Sequence, residues 1–198
     1  QMLAPDARIE VRQGPEYVGR GALKLEAALS YFGIDVAGKI CVDVGASTGG
    51  FTEVLLKRGA EKVYAIDTAA GKFALKLRGD PRVALMERTD VRDVEKLPAP
   101  ADVVAVDVSL IPLENILPAV RRLLAPGGIA VVLLKPQYET RDPKILRHGV
   151  VRDRVSREQI LDNFMRHIQE SGWQVFGQRE SPIRGSKGNT EYLFYLKQ

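Results

Sequence analysis

The chain has 198 residues, of which 45% are hydrophobic and 27% charged, and its formal net charge is +4. This length predicts one domain with its own hydrophobic core, and it excludes a disulfide-stapled miniprotein and a disordered tail. One cysteine and two histidines are too few for an intrachain disulfide or a structural zinc site, and no apolar run approaches the ~20 residues of a membrane-spanning helix.

Apolar runs of strand length alternate with segments of helical periodicity, which is the pattern of an α/β fold with a parallel sheet. The predicted strands are Lys39–Val44, Lys62–Asp67, Val83–Arg88, Asp102–Asp107, Ile129–Lys135, Trp173–Arg179 and Glu191–Leu196. The predicted helices are Phe51–Arg58, Lys72–Arg78, Leu113–Leu124 and Ser156–Ser171, the last with Ser156 as its N-cap. Leucines at positions 23, 25 and 29 indicate a further buried helix face near the amino terminus.

The positive charge is concentrated in residues 141–157, the basic segment. It contains six basic and two acidic side chains, so it carries a net charge of +4 and the rest of the chain sums to zero. A charge run of this kind is usually a solvated face of the protein. Beside a catalytic cleft it would instead attract a polyanion such as RNA.

The sharpest local motif runs from Asp43 to Phe51, between a predicted strand and a predicted helix. Glycines let a ligand approach the backbone closely, and the start of a helix offers unpaired N–H groups. The spacing matches neither the G-x-G-x-x-G dinucleotide fingerprint nor the G-x-x-x-x-G-K-[ST] phosphate loop. A tight structural turn is the alternative interpretation. The candidate cofactor-binding residues here are Asp43, Gly45, Ala46, Ser47, Thr48, Gly49, Gly50 and Phe51.

Two aspartates at later strand ends favour a nucleoside cofactor. Asp67 ends the second strand, roughly 20 positions after the glycine turn, where a carboxylate accepts hydrogen bonds from ribose hydroxyls. Asp90, followed by Val91, comes after the third strand and would receive an adenine amino group. Either aspartate alone could instead be a helix cap or a surface charge. Ligand positions at three successive strand ends, without a phosphate loop, point to S-adenosylmethionine.

Asp107 and Lys135 end the fourth and fifth strands, and a parallel sheet brings both side chains to the same edge. A charged residue that closes an apolar run is seldom buried without a partner. The pair is therefore a candidate acid–base site, with a structural ion pair as an equally common alternative. Lys24 and Glu191 are not singled out by their local sequence.

Seven short stretches together resemble the TlyA (hemolysin A) family of FtsJ-like RNA methyltransferases, over residues 17–196. In chain order they are Arg20–Leu25, Asp43–Phe51, Glu87–Asp90, Asp107–Ser109, Lys135–Glu139, Gly149–Asp153 and Gly188–Glu191. The resemblance implies a class I S-adenosylmethionine-dependent methyltransferase (Rossmann-like) fold. Its sheet would be mostly parallel and seven-stranded, with one antiparallel strand. The implied activity is methylation of ribose 2′-hydroxyls in ribosomal RNA.

The resemblance also implies roles for individual residues. A catalytic Lys-Asp-Lys-Glu tetrad falls on Lys24, Asp107, Lys135 and Glu191. S-adenosylmethionine would lie against the glycine loop, with its ribose on Asp67 and its adenine at Asp90 and Val91. Members of the family usually carry an N-terminal S4 RNA-binding domain. Residues 1–16 are therefore expected to be a linker or remnant of such a domain, and residues 17–198 the methyltransferase domain.

On this interpretation the basic segment borders the active site and contacts phosphates of ribosomal RNA or of a ribosomal subunit. The predicted RNA-binding residues are Arg20, Arg141, Lys144, Arg147, Arg152 and Arg154. A cytoplasmic protein without membrane insertion is expected, because the lone cysteine fits a reducing compartment. Two alternatives stay open. One is an RNA- or ribosome-binding module without catalysis, and the other is a membrane-active hemolysin, which the mixed charge of the last long helix disfavours.

Overall fold

The structure is a computed structural model that describes residues 16–140 and 142–198. In chain order the strands are β1 (Ile40–Val44), β2 (Lys62–Asp67), β3 (Val83–Glu87), β4 (Ala101–Val106), β5 (Leu124–Leu134), β6 (Leu146–Arg147), β7 (Val150–Val151), β8 (Gln174–Glu180) and β9 (Tyr192–Lys197). The α-helices are α1 (Ala22–Phe32), α2 (Gly50–Lys57), α3 (Leu75–Arg78), α4 (Leu117–Leu123), α5 (Pro136–Glu139) and α6 (Arg154–Glu170). The expected S4 remnant, apart from Glu16, and the predicted RNA contact Arg141 lie outside the described residues.

Seven of these strands form one sheet in the order β3-β2-β1-β4-β5-β9-β8. The pairs from β3 to β5 are parallel, whereas β9 is antiparallel to both of its neighbours, β5 and β8. β9 is therefore the single strand that runs against the other six. The predicted class, a mostly parallel seven-stranded sheet with one antiparallel strand, is confirmed.

The sheet is covered on both faces, which explains why its inner strands are apolar at nearly every position. The helices α4 and α6 pack on one face, where Phe164 and Ile168 join the buried core. The helices α1 and α2 pack on the other face, through Leu25 and Leu29 of α1 and several residues of α2. Leu23 was also expected on the buried side of α1, but it is 43% exposed.

Three predicted helices have different bounds in the structure. The predicted helix Leu113–Leu124 is interrupted because Pro118 occupies the first turn of α4, and residues 113–115 form a separate 3₁₀ turn. The predicted helix Lys72–Arg78 is shorter in the structure, where only the single turn α3 is helical. The last begins two residues before Ser156, because Asp153 is the N-cap: its carboxylate accepts hydrogen bonds from the Ser156 backbone N–H (2.8 Å) and hydroxyl (2.7 Å). Among the described residues, no helix is both long and apolar enough to span a membrane.

A small hairpin that the sequence did not predict lies within the basic segment. β6 pairs antiparallel with β7, and the turn between them consists of His148 (φ 54°) and Gly149 (φ 78°). Two successive residues with positive φ are the mark of a tight type I′ hairpin turn. Strands of two residues are too short to produce a visible alternation of apolar and polar side chains.

Asp43 joins the end of β1 to the start of α2. Its carboxyl is fully buried, and Oδ2 accepts hydrogen bonds from the backbone N–H (2.9 Å) and the hydroxyl (2.7 Å) of Thr52. Its Oδ1 has no hydrogen-bond partner among the described residues. Burial raises the pKa of Asp43 to about 7, and the bonds from Thr52 oppose this rise only in part. The glycine loop between Asp43 and Thr52 is thereby fixed at both of its ends.

Phe194 tests the contribution of β9 to the core. It is fully buried and packs edge-to-face on Phe164 of α6, with ring centroids 4.9 Å apart. Truncation in Phe194→Ala should lower the free energy of unfolding by about 3–5 kcal/mol, measured by urea denaturation. The matched control is Phe176→Ala on β8, where the ring is 54% exposed and the loss should stay below about 1 kcal/mol. Equal losses in the two variants would contradict this assignment of the core.

Asp43 makes the stability depend on pH. Its folded pKa of about 7 exceeds the unfolded value near 4, so its stabilising contribution is complete below about pH 4 and is lost as the pH rises to about 7. Asp43→Asn cannot ionise, and relative to the wild type its free energy of unfolding should rise by up to about 4 kcal/mol over this interval. Urea denaturation at several pH values measures the difference. Parallel profiles would contradict the prediction, and exposed Asp162→Asn is the control.

Candidate active site

Four charged side chains meet at the carboxyl edge of the parallel strands. Asp107 directly follows β4, and its backbone N–H donates to the Val44 carbonyl (2.9 Å) at the end of β1. Lys135 directly follows β5. Because β9 runs antiparallel and Leu134 pairs with Tyr192, Glu191, the residue directly before β9, lies beside Lys135. Lys24 reaches the same point from the first turn of α1.

The four groups form a row in which the charges alternate, and we call them the tetrad. Lys24 Nζ lies 2.6 Å from Glu191 Oε2 and 4.0 Å from Asp107 Oδ2. Lys135 Nζ lies 2.5 Å from Asp107 Oδ1, and this contact is an ion pair without the angle of a hydrogen bond. Both lysines therefore bind Asp107, one on each carboxylate oxygen.

The tetrad is largely withdrawn from water. The side chain of Glu191 is 3% exposed, those of the two lysines 9–10%, and that of Asp107 18%. Two ammonium groups and two carboxylates sum to zero, which allows a charged cluster to be buried. Lys135 Nζ additionally donates to Ser109 Oγ at 3.0 Å, so the hydroxyl of Ser109 helps to set its direction.

A cavity of about 520 Å³ opens over the tetrad, and we call it the tetrad cavity. Its walls come from the start of α1, the loop after β4, the β6–β7 hairpin and the loop that precedes β9. A second cavity, of about 320 Å³, lies over the ends of β1, β2 and β4, and we call it the strand-end cavity. The two share the lining residues Ser47, Asp107, Ser109 and Leu110. Ligands in the two cavities would therefore meet beside the tetrad.

Some predicted cofactor residues line the strand-end cavity, and the others build the loop behind it. Those that line it are Gly45, Ser47, Asp67, Asp90 and Val91. Those outside its lining are Asp43, Ala46, Thr48, Gly49, Gly50 and Phe51, and all of these except Thr48 are buried. The glycine loop is therefore both a structural turn and one wall of the strand-end cavity.

Gly45 is a position where no side chain fits. Its φ is +87°, and a Cβ there would lie 2.5 Å from the backbone oxygen of Asp107. The loop consequently packs directly on the chain that carries a tetrad residue. Close approach of this kind is the physical reason for glycine at this position.

Asp67 and Asp90 hold the local backbone and face the strand-end cavity at the same time. Asp67 accepts hydrogen bonds from the backbone N–H groups of Ser47 and Ala69, both at 2.7 Å. Asp90 caps the 3₁₀ turn that follows it and pairs with Arg92 at 2.6 Å; the hydrogen bonds from the Arg92 side chain lower its pKa. The alternative of a helix cap is thus correct for Asp90, and it does not remove the residue from the cavity wall.

The predicted RNA-binding residues occupy three different places. Arg20 lines the tetrad cavity and donates to the backbone oxygen of Arg184 (3.3 Å). Lys144, Arg147 and Arg152 line a separate opening of about 390 Å³ beside the hairpin. Arg154 lies on the exposed surface of α6 in an ion pair with Glu158 (2.6 Å). The basic segment reaches the tetrad cavity itself through the uncharged residues Leu146 and Gly149.

Arg184 and Lys187 line the tetrad cavity and were not predicted as site residues. They belong to the loop before β9, which the sequence shows as a turn-rich connection. Arg184 Nη1 lies 3.4 Å from both the Gly188 backbone oxygen and the Thr190 hydroxyl, so its side chain is folded back on its own loop. Their nearness to Glu191 in the chain was the available signal, but cations are common in surface loops.

Two further carboxylates, buried Glu53 and half-buried Glu139, hold segments next to the site in position. Glu53 on α2 accepts from the Val18 backbone N–H (2.7 Å) and from Lys76 Nζ (2.6 Å), and these bonds lower its pKa against the effect of burial. It thereby holds the loop that leads into α1. Glu139 accepts from the Leu113 backbone N–H (3.0 Å), which ties α5 to the chain beyond β4, and burial raises its pKa to about 7.

The relatives of this chain are consistent with a methyl-transfer site. A family model for FtsJ-like methyltransferases matches residues 17–198. Hemolysin A of Brachyspira hyodysenteriae is 42% identical over 194 residues, which are 95% of this chain and 80% of that protein. The 16S/23S rRNA (cytidine-2′-O)-methyltransferase TlyA of Mycobacterium tuberculosis is 44% identical over 183 residues, which are 91% of this chain and 68% of that protein.

Solved structures agree with the fold. A candidate hemolysin from Streptococcus thermophilus superposes with a TM-score of 0.89 at 40% identity, over 94% of this chain and 68% of that one. An S-adenosylmethionine-dependent methyltransferase from Mesorhizobium loti superposes with a TM-score of 0.64 at 16% identity, over 90% and 99% of the two chains, and shows the shared class I fold. The chain therefore belongs to the FtsJ-like methyltransferase family and groups within it with the TlyA and hemolysin A proteins.

Proposed function

We propose that this chain transfers a methyl group from S-adenosylmethionine to a ribose 2′-hydroxyl of ribosomal RNA. The observation that carries the proposal is the buried row of alternating charges at the junction of the two cavities. A site for ribose methylation has to hold a methyl donor on one side and a hydroxyl on the other, with a group between them that takes or directs the hydroxyl proton. The relative from Mycobacterium tuberculosis is named for cytidine 2′-O-methylation of rRNA, which supports the same substrate class.

The strand-end cavity fits S-adenosylmethionine. It combines carboxylates at Asp67 and Asp90 with apolar walls at Ile66, Val91 and Ile116, as a nucleoside requires. Gly45 also lines this cavity, and it carries no side chain because the Asp107 backbone occupies the space that a Cβ would need. Asp67 would hold the ribose, and Asp90 with Val91 the adenine. When bound, this cofactor supplies an electrophilic methyl group on a positively charged sulfur.

The tetrad would act on the hydroxyl side of the reaction. Lys135 loses its own proton to solvent before the transfer, and its neutral amine then accepts the proton of the attacking hydroxyl. Asp107 and Ser109 hold its nitrogen in place. Glu191 holds Lys24 on the other side of Asp107. Fixed positions matter because alignment of nucleophile and methyl group can supply about 7–11 kcal/mol of the barrier reduction.

Cations around the tetrad cavity suit a polyanionic substrate. Arg20, Arg184 and Lys187 line this cavity, and the exposed side chains of Arg147 and Arg152 lie beside the hairpin that forms one of its walls. Phosphate contacts of this kind supply affinity and orientation without reading the base sequence. We therefore assign the RNA to this side of the site and the cofactor to the strand-end cavity.

Lys135→Ala separates catalysis from cofactor binding. Loss of the proton-directing amine should reduce methyl transfer to rRNA by at least about 100-fold, measured with tritiated S-adenosylmethionine. Cofactor affinity in isothermal titration calorimetry should stay within about twofold, because Lys135 lines only the tetrad cavity. Lys96→Ala, at an exposed position, is the control. Weakened cofactor binding with transfer intact would refute the assigned role, and a wild-type chain that binds RNA but transfers nothing would indicate a binding module.

The triple substitution Arg147→Gln, Arg152→Gln and Arg154→Gln tests the basic segment. Each phosphate contact contributes about 0.7–0.9 to the slope of log K against log salt, so the slope should fall by about 2. Arg154 should contribute least, because Glu158 already pairs with it. Filter binding of rRNA across a salt series gives the slope.

The matched control for this experiment removes the same charge elsewhere, through Arg82→Gln, Lys96→Gln and Arg166→Gln, all at exposed positions. Its salt slope should match that of the wild type, and both triple variants should bind S-adenosylmethionine normally. An unchanged slope in the basic-segment variant would reduce that segment to a solvated face.

A further inference from the structure

Asn189 is a buried polar residue between the β6–β7 hairpin and the strand that begins beside Glu191. It is 2% exposed, and it lines the tetrad cavity. A buried amide side chain has both a donor and an acceptor to satisfy, so its partners show what it holds together.

The amide of Asn189 bridges two backbone groups of the hairpin. Its Nδ2 donates to the Gly149 backbone oxygen at 2.9 Å, and its Oδ1 accepts from the Val151 backbone N–H at 3.0 Å. Val151 and Gly149 lie 38 and 40 positions before Asn189 in the chain. A single side chain therefore makes the pair of hydrogen bonds that a neighbouring strand would otherwise provide.

On its other side Asn189 belongs to a tightly bonded loop. Its backbone oxygen accepts from the Gly185 N–H (2.9 Å), and the Gly188 N–H donates back to the Gly185 oxygen (2.8 Å). Two residues later, the backbone oxygen of Glu191 accepts a hydrogen bond from the Ser181 N–H (2.8 Å). The loop that places Glu191 beside Lys24 is thus the same loop that is hydrogen-bonded to the hairpin through Asn189.

The hairpin needs such an attachment because it is too small to be stable alone. Each of its strands has two residues, and short isolated hairpins are marginal in water. Val151 is buried in the core, Leu146 packs against the same core, and Arg157 donates to the Val151 backbone oxygen (3.2 Å). These contacts hold the two strands but not the turn between them. The bond from Asn189 to Gly149 secures the turn, which lines the tetrad cavity.

We propose that Asn189 is a positioning residue that latches the hairpin as the RNA-side wall of the tetrad cavity. The inference rests on the proposed function only in taking RNA as the substrate. Without the latch the turn at Gly149 moves away from the cavity, and with it Arg147 and Arg152 lose their set positions. The tetrad is held by its own ion pairs, and the cofactor cavity contains no residue of the hairpin.

The test compares Asn189→Ala and Asn189→Asp with the wild-type chain. Asn189→Asp keeps the acceptor for Val151 and loses the donor to Gly149. Both variants should raise KM for rRNA at least tenfold and lower kcat less than threefold, because both lose the bond that holds the turn at Gly149, and the carboxylate of Asn189→Asp also repels the Gly149 carbonyl oxygen. S-adenosylmethionine affinity should change little in either variant, whereas the melting temperature should fall in both and most in Asn189→Asp, because its carboxylate would be buried. Asn163→Ala, exposed on α6, is the control.

Hydrogen exchange at the Val151 amide gives a readout that does not depend on activity. Exchange should accelerate in Asn189→Ala and stay close to wild type in Asn189→Asp. Accelerated exchange with an unchanged KM would overturn the proposed role, as would a parallel loss of cofactor affinity. If the wild-type chain methylates no RNA, the proposed function fails. In that case the exchange rates and the RNA-binding affinities of the same variants still decide whether the latch exists.

Discussion

The burial of four alternating charges is the constraint on which the rest of the structure depends. None of the tetrad residues could be withdrawn from water alone, because an unpaired buried charge costs several kcal/mol. Glu191 and Lys24 bond to each other across 167 positions of the chain. The fold must therefore bring the start of α1, the ends of β4 and β5 and the start of β9 to one point.

The antiparallel direction of β9 follows from this requirement. Strands β1 to β5 all end at the functional edge of the sheet, and a parallel β9 would place its first residue at the opposite edge. Because β9 is antiparallel, it begins at the functional edge, and Glu191 therefore lies beside Lys135. The start of helix α1 is also held in position, because Glu53 accepts a hydrogen bond from the Val18 backbone N–H in the loop that leads into this helix.

The two cavities divide the charge between them. Carboxylates of Asp67 and Asp90 outnumber the one lysine, Lys72, that lines the strand-end cavity outside the tetrad. Cations of Arg20, Arg184 and Lys187 face the tetrad cavity. This division matches the opposite charges of the proposed ligands, a sulfonium cofactor and a polyanionic RNA. The tetrad, neutral as a whole, lies between the two cavities.

The sequence alone located the strands along the chain, the glycine loop, and the pairing of Asp107 with Lys135, because each has a local signal: an apolar run that ends in a glycine turn or a charge. Lys24 and Glu191 followed only from the family resemblance, since a lysine on a helix and a glutamate after a turn have many ordinary uses. Only the tertiary structure decided the hairpin, the Asp153 cap and the bonds of Asn189. The hairpin and the cap are local, but strands of two residues show no alternation, and Asp153 and Ser156 are equally good N-cap residues, so the sequence does not choose between them. The bonds of Asn189 join positions 38 and 40 residues apart, and such contacts leave no periodicity in a sequence.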